Sequence, residues 1–485
     1  MSRAPFVQEL RPVPSVEQAL RAFAHLRGVV LFDSSLRRLP LGRYSFLSAE
    51  PFEVFEQAQA RDAAVLPLME ARLQTLRCET VPDLPPFQGG AAGLLSYELG
   101  QSFERLPNPR WNPMRLPAAV IGLYDWTLAW DHVQSRCWFV GHDFGDSTSK
   151  VRAEERWRQV QELLTSSESE QLKGESDQRF APHPRPLSPE YRGEGGVLEG
   201  MPVFELPQLV GLVSNFDHSR YLAAVQRVID YIHAGDVFQA NLSQQLYFPA
   251  KRSPLEHYLT LRRKNPAPFA SYFAHDDWAV LSSSPERFLQ VRNRTVSTRP
   301  IKGTRQRRPA PEADLFTRDE LRESGKDRAE NVMIVDLLRN DLSRVCQAGS
   351  IRVPELCQVE AYETVAHLVS EVQGTLRDEA TLSDLLKATF PGGSITGAPK
   401  IRAMEIITEL EQTARGAYCG SLFYAGFDGT FDSSILIRTM TQRGGWLSLP
   451  AGGGIVAQSE PEQEYQETLH KVRGLLRSLQ WPNDQ

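Results

Sequence analysis

"YLAAVQRVIDYIHAGDVFQANLSQQLYF", residues 221–248, changes period in its middle, and that change decides the fold class. Leu222, Val225, Ile229 and Ile232 recur at helical spacing, with Asp217 placed to cap the helix and Gly235 to stop it. From Gln239 onward the repeat becomes two. Gln239, Asn241, Ser243 and Gln245 alternate with Ala240, Leu242, Gln244 and Leu246, which predicts a strand with one strongly polar face. Helix followed by strand recurs along the chain, so the expected class is α+β.

Outward from this stretch, the density of such signals divides the sequence. Residues 165–205 contain a Ser-, Glu-, Pro- and Gly-rich run and read as a linker or insertion between an N-terminal region, 1–164, and a catalytic region, 206–485. At 485 residues the chain has ample core, and 41% hydrophobic with 24% charged residues is globular composition. A net charge of -6 argues against a nucleic-acid or anionic-membrane partner. No apolar run reaches membrane-spanning length, and "MSRAPFVQELRPVPS" at the N-terminus has no signal-like apolar core. The expected location is the cytoplasm. The five cysteines form no C-x-x-C pair and no zinc-like cluster.

Several stretches hold chemistry-bearing side chains. "ERFLQVRNRTVSTRPIKG", 286–303, reads as a hairpin centred on Arg294, which sets Glu286 across from Lys302 with Cβ atoms roughly 5 Å apart. "KDRAENVMIVDLLRND", 326–341, reads as a buried helix carrying Asp327 and Glu330 on one side of its start. That pair is either a first-turn acidic pair favoured by the helix dipole or half of a cation site. The last helix opens with a capping-box pattern, "SEPE", and buries Tyr465, Leu469, Val472, Leu476 and Leu479. Glu464, Glu467 and Lys471 fall on another face of it, either solvated or matched to the first acidic pair. If the two helices face one another, the converging carboxylates suit Mg²⁺. "PGGSITGAPK", 391–400, is not a P-loop, because Ala398 and Pro399 stand where Lys and Ser or Thr are required. It and "AGGGIV", 451–456, read as glycine-rich loops, structural or ligand-binding. Arg438 lies in an apolar strand and needs an anionic partner, and His367 lies in an apolar run.

Taken in order, "SSSPERF", "RPIKGT", "KDRAENVMIVDLLRNDL", "AHLVS", "FPGGSITGAPK", "RAMEII", "SSILIRT", "AGGGIV" and "EYQET" resemble the chorismate-utilising family, which contains anthranilate, isochorismate, salicylate and aminodeoxychorismate synthases. The resemblance is close over roughly residues 210–480 and thinner before them. It implies the anthranilate synthase component I-like fold, a two-sheet sandwich-like core surrounded by helices. Water-activating relatives carry a lysine where this chain has Gln239, and ortho-aminating ones usually read P-I-A-G-T where it has P-I-K-G-T. Lys302 is thus the mark of the branch that aminates chorismate at C4 and leads to para-aminobenzoate and folate. Ortho amination, or a non-catalytic binding subunit, is the alternative.

The resemblance also implies roles. Lys302 is the nucleophile and Glu286 the general acid. Glu330 and Glu467, with Glu464 and Asp327 bonded directly or through water, hold Mg²⁺. Tyr418, Arg438, Gly452, Gly453 and Lys471 hold substrate carboxylates, and Thr396 and His367 line the ring. No cysteine lies in a glutaminase elbow, so ammonia is expected from a separate glutamine amidotransferase subunit, with the final lyase on another chain. "FDSS", "GRYSF" and "NPAPFASYF" stand where some relatives bind tryptophan.

Overall fold

The computed structural model describes residues 4–37, 41–60, 64–144, 151–170, 196–308, 311–361 and 365–480. The Tyr221 periodicity becomes the helix His218–His233, whose cap is Asp217, the side chain accepting from the Arg220 N–H at 2.7 Å. Gly235 follows with φ +85° and ends it. The strand Gln239–Gln244 forms as expected, but all six residues are buried, so it has no solvated polar face. It is the middle strand of a three-stranded sheet, between Gly397–Ala398 and Ala451–Ile455. Its polar side chains face neighbouring elements instead of water: Gln244 donates to Thr468 Oγ1 at 2.6 Å and accepts from Ser214 Oγ at 2.9 Å.

Two large antiparallel sheets form the body of the molecule. One has twelve strands, from Phe6–Glu9 at one edge through Val30–Asp33, Phe269–His275 and Trp278–Ser284 to Phe204–Glu205. The other has ten, with Glu53–Gln57 at one edge and Ile301–Gln306 at the other. Each draws strands from both the 1–164 and the 206–485 regions, so the halves share one core. Val30, Phe46, Phe273 and Val280 of the first sheet meet Leu94, Val120, Leu422 and Tyr424 of the second in the layer between them. Outside the first sheet pack helices Val16–Phe23, Pro254–Lys264 and Pro461–Leu479. Outside the second pack Val65–Thr75, Gly325–Ser343 and Leu382–Thr389. This is the expected sandwich surrounded by helices. The first six residues of the expected 165–205 linker continue the helix Ala153–Glu170, and its end includes the strand Phe204–Glu205. Residues 171–195, the rest of the Ser/Pro/Gly-rich run, lie outside the described residues.

Three local expectations are corrected. The hairpin turns on Asn293 and Arg294, both at positive φ (48° and 62°), a two-residue primed turn that pairs Arg292 with Thr295. Its centre therefore lies between residues 293 and 294, which puts Ile301, and not Lys302, at the pairing position of Glu286. "AGGGIV" is not a loop but the strand Ala451–Ile455, where a Cβ on Gly452 would lie 2.5 Å from the Leu242 carbonyl oxygen. "SEPE" makes no capping box: Glu460 is the cap without a side-chain bond, and Ser459 donates instead to Glu464 Oε1 at 2.6 Å.

Candidate functional site

The site lies where the edge strand Ile301–Gln306, the helix starts at Gly325 and Pro461, the strand Ala451–Ile455 and the turn Gly393–Ile395 come together. Ile301–Gln306 pairs with Val365–Thr375, with a register shift between Lys302 and Thr304. Gly303 absorbs that shift at φ +69°, and a Cβ there would approach Asp327 and Leu321 to about 3 Å. The bulge aims Lys302 inward, with its amine 3.4 Å from the Ser394 carbonyl oxygen.

Though not cross-strand partners, Lys302 and Glu286 act on one another through their charges, and both contact Ser394. Glu286 is buried, and its carboxylate accepts from Ser394 Oγ at 3.0 Å and from the Ile301 N–H. Burial raises its pKa to about 7 against the pull of Lys302, Ser394 and Ile301. Burial also lowers the pKa of Lys302, assisted by Lys471 and opposed by Glu330, Glu286 and Glu467. An amine with a depressed pKa beside a carboxyl with a raised one is an arrangement for nucleophilic attack with proton donation.

The acidic helices bring the four expected carboxylates into one field, Asp327 through its charge on Glu330. Burial raises the pKa of Glu330, with Asp327 and Glu467 adding repulsion and Lys302 and Lys326 opposing. Glu464 is raised by burial and by Glu467, against Ser459. Burial acts to raise Glu467 too, but Lys471, Lys326 and Lys302 outweigh it and hold the carboxyl below its ordinary value. Lys471 pairs with Glu467 at 2.5 Å and donates to the Gly452 carbonyl oxygen at 2.9 Å. Gly453 faces this cluster: a Cβ there would lie 3.2 Å from Glu464 Oε2 and 3.6 Å from Glu467 Oε1.

Asp327, next to Gly303, is in an ion pair with Arg305 at 2.9 Å. Its helix is less enclosed than its apolar composition suggests, with Val332 40% exposed and a stripe of Asn331, Ile334, Val335 and Leu338 buried. Glu330 and Glu464 each share a partly desolvated place with Glu467, hard oxygen donors of the chemistry that suits Mg²⁺, and these three are the residues that would hold it, although their oxygens do not all lie within 4.8 Å of one another. Glu467 pairs with Lys471 and Glu464 accepts from Ser459, while Lys302 and Lys326 act on Glu330 through their charge.

Arg438, Tyr418 and the glycine strand are the residues expected to hold substrate carboxylates. Arg438 is at φ +54° and donates to the Lys471 carbonyl oxygen at 2.6 Å; burial lowers its pKa against Tyr418 and Glu467. Tyr418 is buried, which drives its hydroxyl well above its ordinary pKa. His367 is held neutral by burial, its pKa about 4, beside the Gly303 backbone. Thr396 is fully buried with its hydroxyl donated to the Gly392 carbonyl oxygen at 3.0 Å, so it shapes the Gly393–Ile395 turn instead of presenting a donor.

Residues not anticipated complete the site. Ser394 sits inside the quoted "PGGSITGAPK" and binds Glu286, and Lys326 joins the acidic cluster. Behind them Arg415 pairs with Glu411, both side chains 1% exposed, and donates to the Asn241 and Ile395 carbonyl oxygens at 2.6 and 3.0 Å. Glu411 in turn accepts from the Ser243 N–H and hydroxyl. A buried i,i+4 pair in "ELEQTARG" looks in sequence like a surface pair; only burial distinguishes it. Both polar ends of Gln239 are buried without a partner among the described residues, at the position where water-activating relatives have lysine. A separate cavity of about 260 Å³ lies between the sheets, lined by Asp33, Ser34, Arg43, Tyr44, Phe46 and Phe269 among others. Among the described residues no helix is long and apolar enough to cross a membrane.

A family model described as chorismate binding enzyme matches residues 36–477. The chain is 38% identical over 471 residues to aminodeoxychorismate synthase component 1 of Escherichia coli (strain K12), covering 94% of each chain. It is 35% identical over 486 residues to anthranilate synthase component 1 of Bacillus caldotenax, covering 96% of this chain and 92% of that one. Among solved structures, anthranilate synthase component I from Streptococcus pneumoniae TIGR4 aligns with a TM-score of 0.72 at 27% identity, covering 91% of this chain and 93% of that one.

Proposed function

This chain belongs to the chorismate-binding enzyme family, and from that premise we propose that it catalyses the aminodeoxychorismate synthase component 1 reaction, amination of chorismate at C4. The observation that carries the reading is Lys302, its amine depressed in pKa and set between Glu286 and the Glu330–Glu467 cluster. Relatives of that name at 38–40% identity support it.

In the proposed mechanism the Lys302 amine, in its neutral form, adds at C2 of the ring as the C4–OH bond breaks. Glu286 delivers the proton with which that hydroxyl leaves as water. Ammonia then attacks C4, the C2–N bond breaks, and the Lys302 amine is regenerated. Arg438 and Lys471 offer the positive charge that binds the substrate carboxylates, and the glycine strand lets the ring approach the backbone. Glu330, Glu464 and Glu467 would hold Mg²⁺, which when bound would supply charge neutralisation at the ring carboxylate. Asp327, which Arg305 holds, would reach the ion through a water. Ammonia is proposed to come from a separate glutamine amidotransferase subunit, and the chain to work in the cytoplasm. Tryptophan binding in the cavity is a weaker proposal. Asp33 and Arg43 already pair with Arg262 and Asp131, which the amino acid's charged groups would have to displace. Calorimetric titration with tryptophan checks it.

The deciding experiment gives the purified chain chorismate, Mg²⁺ and ammonium and identifies the product. Aminodeoxychorismate is expected. Anthranilate would establish the second reading, which the 35% identical Bacillus caldotenax relative favours, and no turnover would leave a binding subunit.

Two variants test the roles. Activity should be bell-shaped in pH, because it needs Lys302 without its proton and Glu286, whose pKa is about 7, with its own. Glu286→Gln should lower kcat about 10²–10⁴-fold and remove the alkaline limb. An alkaline limb that persists in this variant would assign it to another group. Glu467→Gln should raise the Mg²⁺ concentration needed for half-maximal activity about tenfold or more, measured by metal titration. An unchanged titration would remove Glu467 from the ligand set.

A further inference from the structure

At an edge of the sandwich, away from the residues above, the turn after strand Phe269–His275 meets the edge strand Glu53–Gln57 of the opposite sheet. There His275 Nε2 lies 3.5 Å from Glu56 Oε2 and 3.5 Å from Asp276 Oδ2. Among the described residues, these are the three side chains whose ligand atoms all lie within 4.8 Å of one another.

Two observations separate this group from an ordinary surface cluster. His275 is 4% exposed, fixed between the rings of Phe273 and Trp278, and its ring makes no hydrogen bond among the described residues. A buried imidazole is therefore aimed at two carboxylates that reach solvent, and its polar contacts with them are long ones. The spacing is the second observation. At 3.5 Å the contacts are too long for good hydrogen bonds, yet they approach the separation of about 3.3 Å between two ligand atoms that share a tetrahedral zinc at 2.0–2.1 Å. Arg27 reaches the other oxygen of Asp276, Oδ1, at 3.7 Å and leaves Oδ2 facing the histidine.

We propose that Glu56, His275 and Asp276 form a Zn²⁺ site with one open position, which ties the edge strand of one sheet to a hairpin turn of the other. One imidazole and two carboxylates on a solvent-facing rim suit a borderline cation such as zinc better than Mg²⁺, which favours all-oxygen octahedral sites. The site is independent of the proposed reaction.

The test is calorimetric titration of the full chain with Zn²⁺ in excess Mg²⁺, with Co²⁺ absorption as a probe of tetrahedral coordination. One equivalent of Zn²⁺ is expected to bind, with Glu56→Gln and Asp276→Asn each weakening it about tenfold or more and Glu467→Gln leaving it unchanged. The two carboxylate variants change exposed side chains, so the test does not depend on whether a His275 variant folds. Absence of stoichiometric Zn²⁺ binding, equal affinity in Glu56→Gln, or sensitivity to Glu467→Gln alone would overturn the proposal.

Discussion

Lys302→Ala is expected to lower formation of the amino product by about 10³-fold or more and to abolish any covalent adduct between the chain and its substrate, as read by intact-protein mass spectrometry. The chain should remain folded. The lysine amine makes one long contact, 3.4 Å to the Ser394 carbonyl oxygen, and its burial disfavours the charged form, so truncation removes a strained group more than a support. Mg²⁺ binding should persist or tighten, because one cation competing for Glu330 and Glu467 is gone. An adduct that survives in the variant would place the nucleophile elsewhere.

Arg415→Met is expected to give the largest loss of stability, about 3–5 kcal/mol, because it leaves the Glu411 carboxylate buried without its counter-charge. The guanidinium also satisfies the Asn241 and Ile395 carbonyl oxygens, and its own backbone N–H donates to Glu98 at 2.7 Å. The side chain thus joins the Gln239–Gln244 strand to the turn that carries Ser394, and its loss should reduce activity through the position of Ser394 and Glu286. Chemical denaturation measures the first effect. A cost below about 1 kcal/mol would show that the pair contributes no more than an exposed one.

The acidic cluster illustrates how far local pattern reaches. Asp327 and Glu330 share a helix face, and so do Glu464 and Glu467, because the helical repeat is set by neighbours in the chain. Which of them enter the site depends on what lies opposite. Arg305, on a strand over twenty residues away, pairs with Asp327; Lys326 and Lys471 act on the others.

The sequence by itself determined the α+β class, the helix from His218 and the strand from Gln239, and it singled out Lys302, Glu286 and the acids as the candidate reactive groups. Periodicity, capping and residue chemistry are local, and the ordered motifs add the family. Tertiary structure alone decided the hairpin register, set by positive φ at Asn293 and Arg294, and the conversion of "AGGGIV" into a strand through close approach to Leu242. It also decided which charges are desolvated, hence the raised Glu286, the depressed Lys302 and the buried Arg415–Glu411 pair. Register, contact and burial arise between segments distant along the chain, and no short window of residues contains the partner that determines them.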